Sequence, residues 1–377
     1  MRLRSEQLHA AGRLVEAISL QLELIRVAER EGRIQAGDYH QLGVQYFAAR
    51  AFDKAAAAFA RVHSLDSGFG AVSLNLGLSL VRCNRIDEGI AQLESVVGRE
   101  KNNTNLLDGL ADAYWKKGDE NKARLYGERS LEIKDIQACS VSSDFEIERE
   151  CAPPFHPDHP VENIISFSLF GQTKQYHDGA VRNAVIAKDL YPGWRCRFYC
   201  DDRVPEQACT ALREAGAQLV MMRRPKRPAD GLFWRFLVAD DPDVVRFLVR
   251  DCDSLLNVRE KCAVDEWLLS QRLFHVMRDH GSHTATILAG MWGGVARSIP
   301  PLHRLLQGFS YDPVTESRIA DQCFLGRIVW PIIKKSCLVH DSIYRNFDAR
   351  GFPEGSELTP GRHVGDNDYV ARQATGH

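Results

Sequence analysis

Along the first third of the chain, small and large apolar residues return at a fixed interval. Leu42-Gly43 with Tyr46 is followed by Leu76-Gly77 with Leu80 and then by Leu110-Ala111 with Tyr114, a spacing of 34 residues each time. A second series, Ala55 with Phe59, Gly89 with Leu93 and Ala123 with Gly127, keeps the same interval. Recurring small residues let backbones approach closely, and the large ones fill the grooves between them. The periodicity stops after Lys134-Asp135. From Asn163 the pattern becomes short apolar runs alternating with amphipathic stretches. It predicts strands over 164–171, 195–200, 218–222 and 244–249, with helices over 179–190, 208–215, 232–239 and 258–269. Further strands are predicted at 286–289 and 337–339, and an apolar helix opens at Asp321 and runs towards Trp330. Strands alternating with helices imply a mostly parallel sheet covered on both faces. Ligands of such sheets gather at the carboxyl ends of the strands.

Between the two patterns, 136–162 contains Cys151-Ala152-Pro153-Pro154-Phe155-His156-Pro157-Asp158-His159-Pro160, which sustains neither a helix nor a central strand and reads as a linker with solvated histidines. Residues 351–377 read as a polar tail. A chain of 377 residues that is 44% hydrophobic and 26% charged has material for at least two cores. The formal charge of −2 argues against a nucleic-acid binder driven by bulk positive charge. No apolar run approaches the ~18 residues of a membrane span, and Met1-Arg2-Leu3-Arg4 has no apolar stretch behind it, so neither a transmembrane segment nor a signal peptide is expected. Ten scattered cysteines without a CxxC read as reduced thiols of a cytoplasmic protein, compatible with a peripheral place at the inner face of a membrane.

The 34-residue period with this residue pattern resembles the tetratricopeptide repeat, whose unit is a helical hairpin. The resemblance implies a helical domain over 1–135 with repeats at about 36–69, 70–103 and 104–137. A degenerate capping repeat around Gly12-Arg13-Leu14-Val15-Glu16-Ala17-Ile18, four residues out of register, precedes them. Such an array presents a concave surface and performs no chemistry itself. It is expected to dock an acceptor or a protein partner.

The chemistry sits in the second half. Asp251 and Asp253, in Arg250-Asp251-Cys252-Asp253-Ser254, stand two apart just past an apolar strand. Carboxylates so placed suit an oxygen-loving cation, Mg²⁺ or Mn²⁺, that can bridge a diphosphate. With Phe274-His275-Val276-Met277-Arg278-Asp279-His280 and Ala289-Gly290-Met291-Trp292-Gly293-Gly294, this motif resembles metal-dependent glycosyltransferases of the GT-A fold, in a bacterial and viral subgroup. The likeness covers roughly 163–345 and implies a domain over 163–350. It implies transfer of a sugar from a nucleotide-diphosphate donor, UDP-sugar first, to a saccharide, glycan or protein acceptor. Two other readings stand beside it. One is a non-catalytic repeat adaptor with a degenerate transferase domain. The other is a phosphatase with Asp251 as nucleophile, which fits poorly because about 90 residues of αβ structure precede that aspartate.

Within the transferase reading the remaining candidates take roles. Phe170, Gly171 and Tyr176, in the loop after the first strand, would cover the base and ribose, and Asp201 would accept a hydrogen bond from the base. Arg235 is the guanidinium for diphosphate or sugar. Arg278 and Asp279 would contact the donor sugar, Gly290 would admit the ligand, and Trp292 would offer its ring as a sugar platform. The family's pattern implies Asp321 as the base that takes the acceptor's proton, favouring inversion, and His340 as a third metal ligand beside Asp251 and Asp253.

Overall fold

The computed structural model describes residues 1–66, 68–70, 72–140, 147, 151–313 and 315–368. Residues 141–146 and 148–150 of the expected linker, and the tail beyond 368, therefore lie outside the described residues. The chain separates into two compact units, Met1–Ile133 with Asp312–Glu316, and Lys134–Tyr311 with Ser317 onwards.

The first unit is built from helical hairpins: α1 (Arg2–Ala10) with α2 (Leu14–Arg30), α3 (Ala36–Ala48) with α4 (Phe52–Leu65), α5 (Val72–Arg82) with α6 (Ile86–Val97), and α7 (Thr104–Lys117) with α8 (Glu120–Ser140). The small residues act as the sequence spacing demands. A Cβ on Gly43 would lie 2.6 Å from the Phe59 ring, and one on Gly77 would lie 2.7 Å from Leu93, the same contact one period later. The turns repeat as well. Arg50, Asn84 and Gly118 all adopt left-handed backbone, φ 60°, 64° and 83°, and they too are 34 residues apart. Only glycine takes this conformation without steric cost, which for other residues is about 1–2 kcal/mol. Arg50→Gly is therefore expected to raise stability by about 0.5 kcal/mol once glycine's extra unfolded-state entropy is subtracted, a gain readable in a denaturant midpoint. No helix among the described residues is long and apolar enough to cross a membrane.

The second unit carries a seven-stranded sheet of order β3-β2-β1-β4-β6-β5-β7. Its strands are β1 (Asn163–Leu169), β2 (Arg195–Cys200), β3 (Gln218–Met221), β4 (Arg246–Val249), β5 (Phe274–Arg278), β6 (Trp292–Val295) and β7 (Cys337–Asp341). Parallel pairing joins β1 to β2 and β4, β2 to β3, and β5 to β7, while β6 runs antiparallel between β4 and β5. Helices α9 (Lys174–Leu190), α10 (Glu206–Glu214) and α11 (Val258–Leu269) alternate with strands, and α12 (Leu302–Gln307), α13 (Ala320–Phe324) and α14 (Trp330–Ile333) follow β6. The fold class is thus helical repeats followed by a Rossmann-like, mostly parallel sheet. Two apolar layers sandwich the sheet. Ile164, Phe236, Phe247, Trp292, Phe324 and Trp330 share one, and Ile165, Phe167, Phe198, Trp194 and Trp267 share the other. Adjacent Ile164 and Ile165 fall on opposite faces because side chains alternate along a strand.

Three local readings need correction. The strand expected at 286–289 is irregular, and the strand begins instead at Trp292 and includes Gly293 and Gly294. These glycines sit mid-sheet because a Cβ would lie 2.6 Å from the Phe247 carbonyl oxygen at Gly293 and 2.5 Å from the Phe274 ring at Gly294. The helix expected over 232–239 is a 3-10 segment, Pro228–Asp240. The apolar helix opened by Asp321 contains a π-helical turn, Leu325–Val329, before α14. Pro331, which has no N–H to donate along the helix, lies just beyond it.

Candidate functional site

Strand register brings the first residues together. Val249 of β4 pairs antiparallel with Trp292 of β6, so two residues beyond the strand Asp251 comes opposite Gly290. The Asp251 carboxylate occupies the space a Cβ on Gly290 would need. From the other side Arg235 reaches in. Its Nη1 donates to the Arg250 carbonyl at 3.0 Å and to Asp251 Oδ1, and its Nη2 donates to Asp321 Oδ2 at 2.7 Å. Burial opposes the charge on this guanidinium, but Asp251 and Asp321 outweigh burial and hold its pKa above the usual value.

Arg235 itself is placed by serines of β1, which interrupt an otherwise apolar strand. Ser166 Oγ donates to the Arg235 carbonyl at 2.7 Å, and Arg235 N donates to Ser168 Oγ at 3.0 Å. Asp321 belongs to the site, but not as an open base. Its side chain is 5% exposed, Oδ2 is held by Arg235, and Oδ1 accepts from Gln322 N at 2.9 Å. Burial, opposed by Arg235 and reinforced by Asp251, raises its pKa. The geometry makes Asp321 the anchor of Arg235 rather than a group facing an acceptor hydroxyl.

Asp253 is met from the opposite end of the sequence. Asn367 Nδ2 donates to Asp253 Oδ2 at 2.5 Å, and Asp368 N donates to the Asp253 carbonyl at 2.9 Å. Gln175 Nε2 on α9 donates to Asn367 Oδ1 at 3.2 Å, and Arg182 pairs with Asp368. What the sequence offered as a polar tail thus closes the acidic turn as far as Asp368. The inserted residue is Val364, which is buried beside Met277 and Met291 and donates its N–H to Asp279 Oδ1 at 3.0 Å. Burial and the Asp251 charge push the Asp253 carboxyl from 3.8 up to about 6. Tyr176 is 40% exposed, and burial with the charges of Asp253 and Asp251 raises its pKa against the pull of Arg318.

The acidic turn rests on α9 through residues whose type gave no sequence signal. Asn183 Nδ2 donates to the Ser254 carbonyl at 2.9 Å, and its Oδ1 accepts from Leu256 N at 2.9 Å. Gly179 packs directly on the Cys252 carbonyl, leaving no room for a Cβ. Because a backbone atom is in the way, Gly179→Ala must displace the turn. The expected outcome is a lower denaturant midpoint for the second unit with the helical circular dichroism retained in buffer.

Other expected residues fall into two groups. Phe170, Gly171 and Asp201 stand at the ends of β1 and β2. Gly171, with φ 80°, donates its N–H to Asp201 Oδ1 at 3.2 Å. Buried Asp201 also takes Arg203 N at 3.1 Å and Arg203 Nε at 2.7 Å, so it organises the loop and its carboxylate is spent on the protein. Phe170 lies edge-on to Trp234, centroids 5.6 Å apart.

Four residues are not where a donor would reach them. Trp292 is fully buried, edge-on to Phe236 and Phe247, and is core rather than a sugar platform. Arg278 is buried in an ion pair with Asp341 at 2.6 Å and donates to the Thr286 carbonyl at 2.9 Å. Asp279 takes Arg259 at 2.9 Å, and burial, opposed by Arg259, pushes its pKa to about 7. His340 is buried with both ring nitrogens engaged, by His275 Nε2 at 2.8 Å and by Glu266 Oε2 at 3.1 Å. It is not a ligand beside Asp251 and Asp253. β7 is separated from β4 by β5 and β6, a distance no sequence pattern conveys.

No family model matches the chain, and no curated protein matches it. Solved structures similar to it include MamA from Desulfovibrio magneticus RS-1, 19% identical over 35% of this chain and 72% of that one, TM-score 0.32. O-GlcNAc transferase from Thermobaculum terrenum is 17% identical over 62% of this chain and 42% of that one, TM-score 0.40. Glucosyl-3-phosphoglycerate synthase from Mycobacterium tuberculosis, in complex with Mn²⁺, UDP and phosphoglyceric acid, is 12% identical over 55% of this chain and 77% of that one, TM-score 0.31.

Proposed function

We propose that the second unit is a divalent-cation-dependent glycosyltransferase that takes a sugar from a nucleoside diphosphate, UDP-sugar first, and that the helical repeats receive its glycan or protein acceptor or a protein partner. The observation that carries this reading is the acidic turn after β4. Two carboxylates, Asp251 and Asp321, share Arg235, and the third, Asp253, lies outside that pairing with its carboxyl pushed up to about 6 by burial and the Asp251 charge. Such a donor set fits Mn²⁺ or Mg²⁺, which prefers carboxylate and amide oxygens. Asp253 would be the closer ligand, with Asp251 and Asn367 beside it. When bound, the cation would neutralise the diphosphate that these carboxylates otherwise repel.

The chain's own residues then divide the work. Arg235, locked on Asp321, fixes the Asp251 carboxylate in one orientation. Gly290 keeps the space over it free of a side chain. Tyr176, at the rim, suits contact with the nucleotide. Asn367 closes the turn once the donor side is formed.

Asp253 must lose its proton to hold a cation, so Mn²⁺ affinity is expected to fall as pH drops below about 6. The sign for stability is opposite. Between 3.8 and about 6 the metal-free folded chain retains a proton the unfolded chain has released, so this group's contribution to stability declines as pH rises through that window. Calorimetric titration of UDP with and without Mn²⁺, followed by donor-sugar hydrolysis, tests the reading. Cation-dependent UDP binding is expected. A folded chain that binds no nucleoside diphosphate with either cation overturns the proposal and leaves the adaptor reading.

A further inference from the structure

Three imidazoles meet apart from the acidic turn. His280 and His283 lie in the loop after β5, and His363 arrives on the C-terminal segment that also carries Val364 and Asn367. A ring nitrogen of each lies within 4.8 Å of those of the other two. Their centroids are 4.3 Å apart for His280 and His363, 4.9 Å for His283 and His363, and 5.6 Å for His280 and His283. Among the described residues this is the one group of three histidines, cysteines or carboxylates with ligand atoms so close.

Partners behind the rings set their orientation. His363 Nδ1 lies 3.0 Å from the Val364 carbonyl, which places the proton on Nδ1 and leaves the Nε2 lone pair for a ligand. His280 Nδ1 has the Ser282 hydroxyl at 2.8 Å as a partner and accepts from Ser282 N at 3.2 Å. His283 Nδ1 accepts from Asp279 N at 3.2 Å, with Asp279 Oδ1 3.8 Å away, beyond hydrogen-bond distance. A hydroxyl or carbonyl behind the ring, as at His280 and His363, is the usual orienting partner of a metal-bound histidine.

We propose that His280, His283 and His363 form a zinc site, tetrahedral with a water in the fourth position, that pins the C-terminal segment to the loop after β5. Three imidazoles and no carboxylate suit Zn²⁺ and disfavour Mn²⁺ or Mg²⁺, so the two metal sites of the chain differ in chemistry. The site does not depend on the transferase reading. It has a consequence for it, because His363 is four residues from Asn367, and fixing one fixes the approach of the other to Asp253.

The test is titration of the chelator-stripped full chain with zinc sulfate, read by calorimetry and by thermal melting. The wild type is expected to bind one equivalent at submicromolar free zinc, with a rise in Tm. The double variant His280→Ala/His363→Ala changes two half-buried side chains. It is expected to keep the metal-free Tm and lose zinc affinity by on the order of 100-fold or more. Asp253→Asn is expected to bind zinc as the wild type does. Equal zinc binding by the double variant overturns the proposal, as does a wild type that binds none. Loss of zinc uptake in Asp253→Asn also overturns it, by placing the zinc at the acidic turn.

Discussion

Asp253→Asn is expected to lower turnover by about 10²–10³-fold while raising the thermal stability of the metal-free chain at neutral pH. The loss follows from the proposed mechanism, since the substitution removes the carboxylate that would hold the cation against the leaving diphosphate. The gain follows from the geometry. A partly buried carboxyl raised to about 6 beside Asp251 is ionised at neutral pH at a cost, and an amide of the same shape avoids that cost. Asn367 Nδ2 can still donate to the remaining side-chain oxygen. Opposite signs for activity and stability mark a residue retained for function. Steady-state sugar transfer and a melting curve, both on the same preparation, measure the two. A residue with a purely structural role would lose stability along with activity.

Arg235→Met is expected to destabilise the second unit by about 3–5 kcal/mol, the usual cost of removing one partner from a buried ion pair. The reason is Asp321, 5% exposed, whose other partner is one backbone N–H. Denaturant unfolding measures the loss. Arg235→Lys should recover only part of it, because an ammonium cannot bond Asp251 and Asp321 in the fixed fork a guanidinium supplies. Arg235→Met with Asp321→Leu should recover most of the stability and none of the cation affinity, because Asp251 then loses its orientation. If the double variant is as unstable as the single one, the pairing with Asp321 is not what holds this region.

The acidic turn was legible because its signal is local: an apolar strand, two aspartates two apart, and a helix after them. β2 and α11 coincide with their sequence readings for the same reason, since period and length set them without help from elsewhere. Trp292 misled because glycines around an aromatic read as a ligand platform. In the structure Gly293 and Gly294 serve sheet packing, and the indole is core. His340 misled because a histidine ending a late strand resembles a metal ligand, yet in the structure its two nitrogens are held by His275 and Glu266.

By itself the sequence determined what depends on near neighbours along the chain. The 34-residue recurrence of Gly43, Gly77 and Ala111 specified helical hairpins, because small residues there leave room for the adjacent helix, filled by Phe59 at Gly43 and by Leu93 at Gly77. The apolar runs specified strands, and the position of Asp251 and Asp253 specified an acidic turn at a strand's carboxyl end. Tertiary structure decided which distant residues complete that turn. Gly290 reaches Asp251 only because β6 runs antiparallel to β4 with Val249 opposite Trp292, and Asn367 reaches Asp253 only because Val364 is drawn into an apolar pocket. Arg235 meets Asp321 across 86 residues of chain. Pairings of this kind leave no periodic trace, because they are selected by sheet order and by burial of groups that share no local pattern.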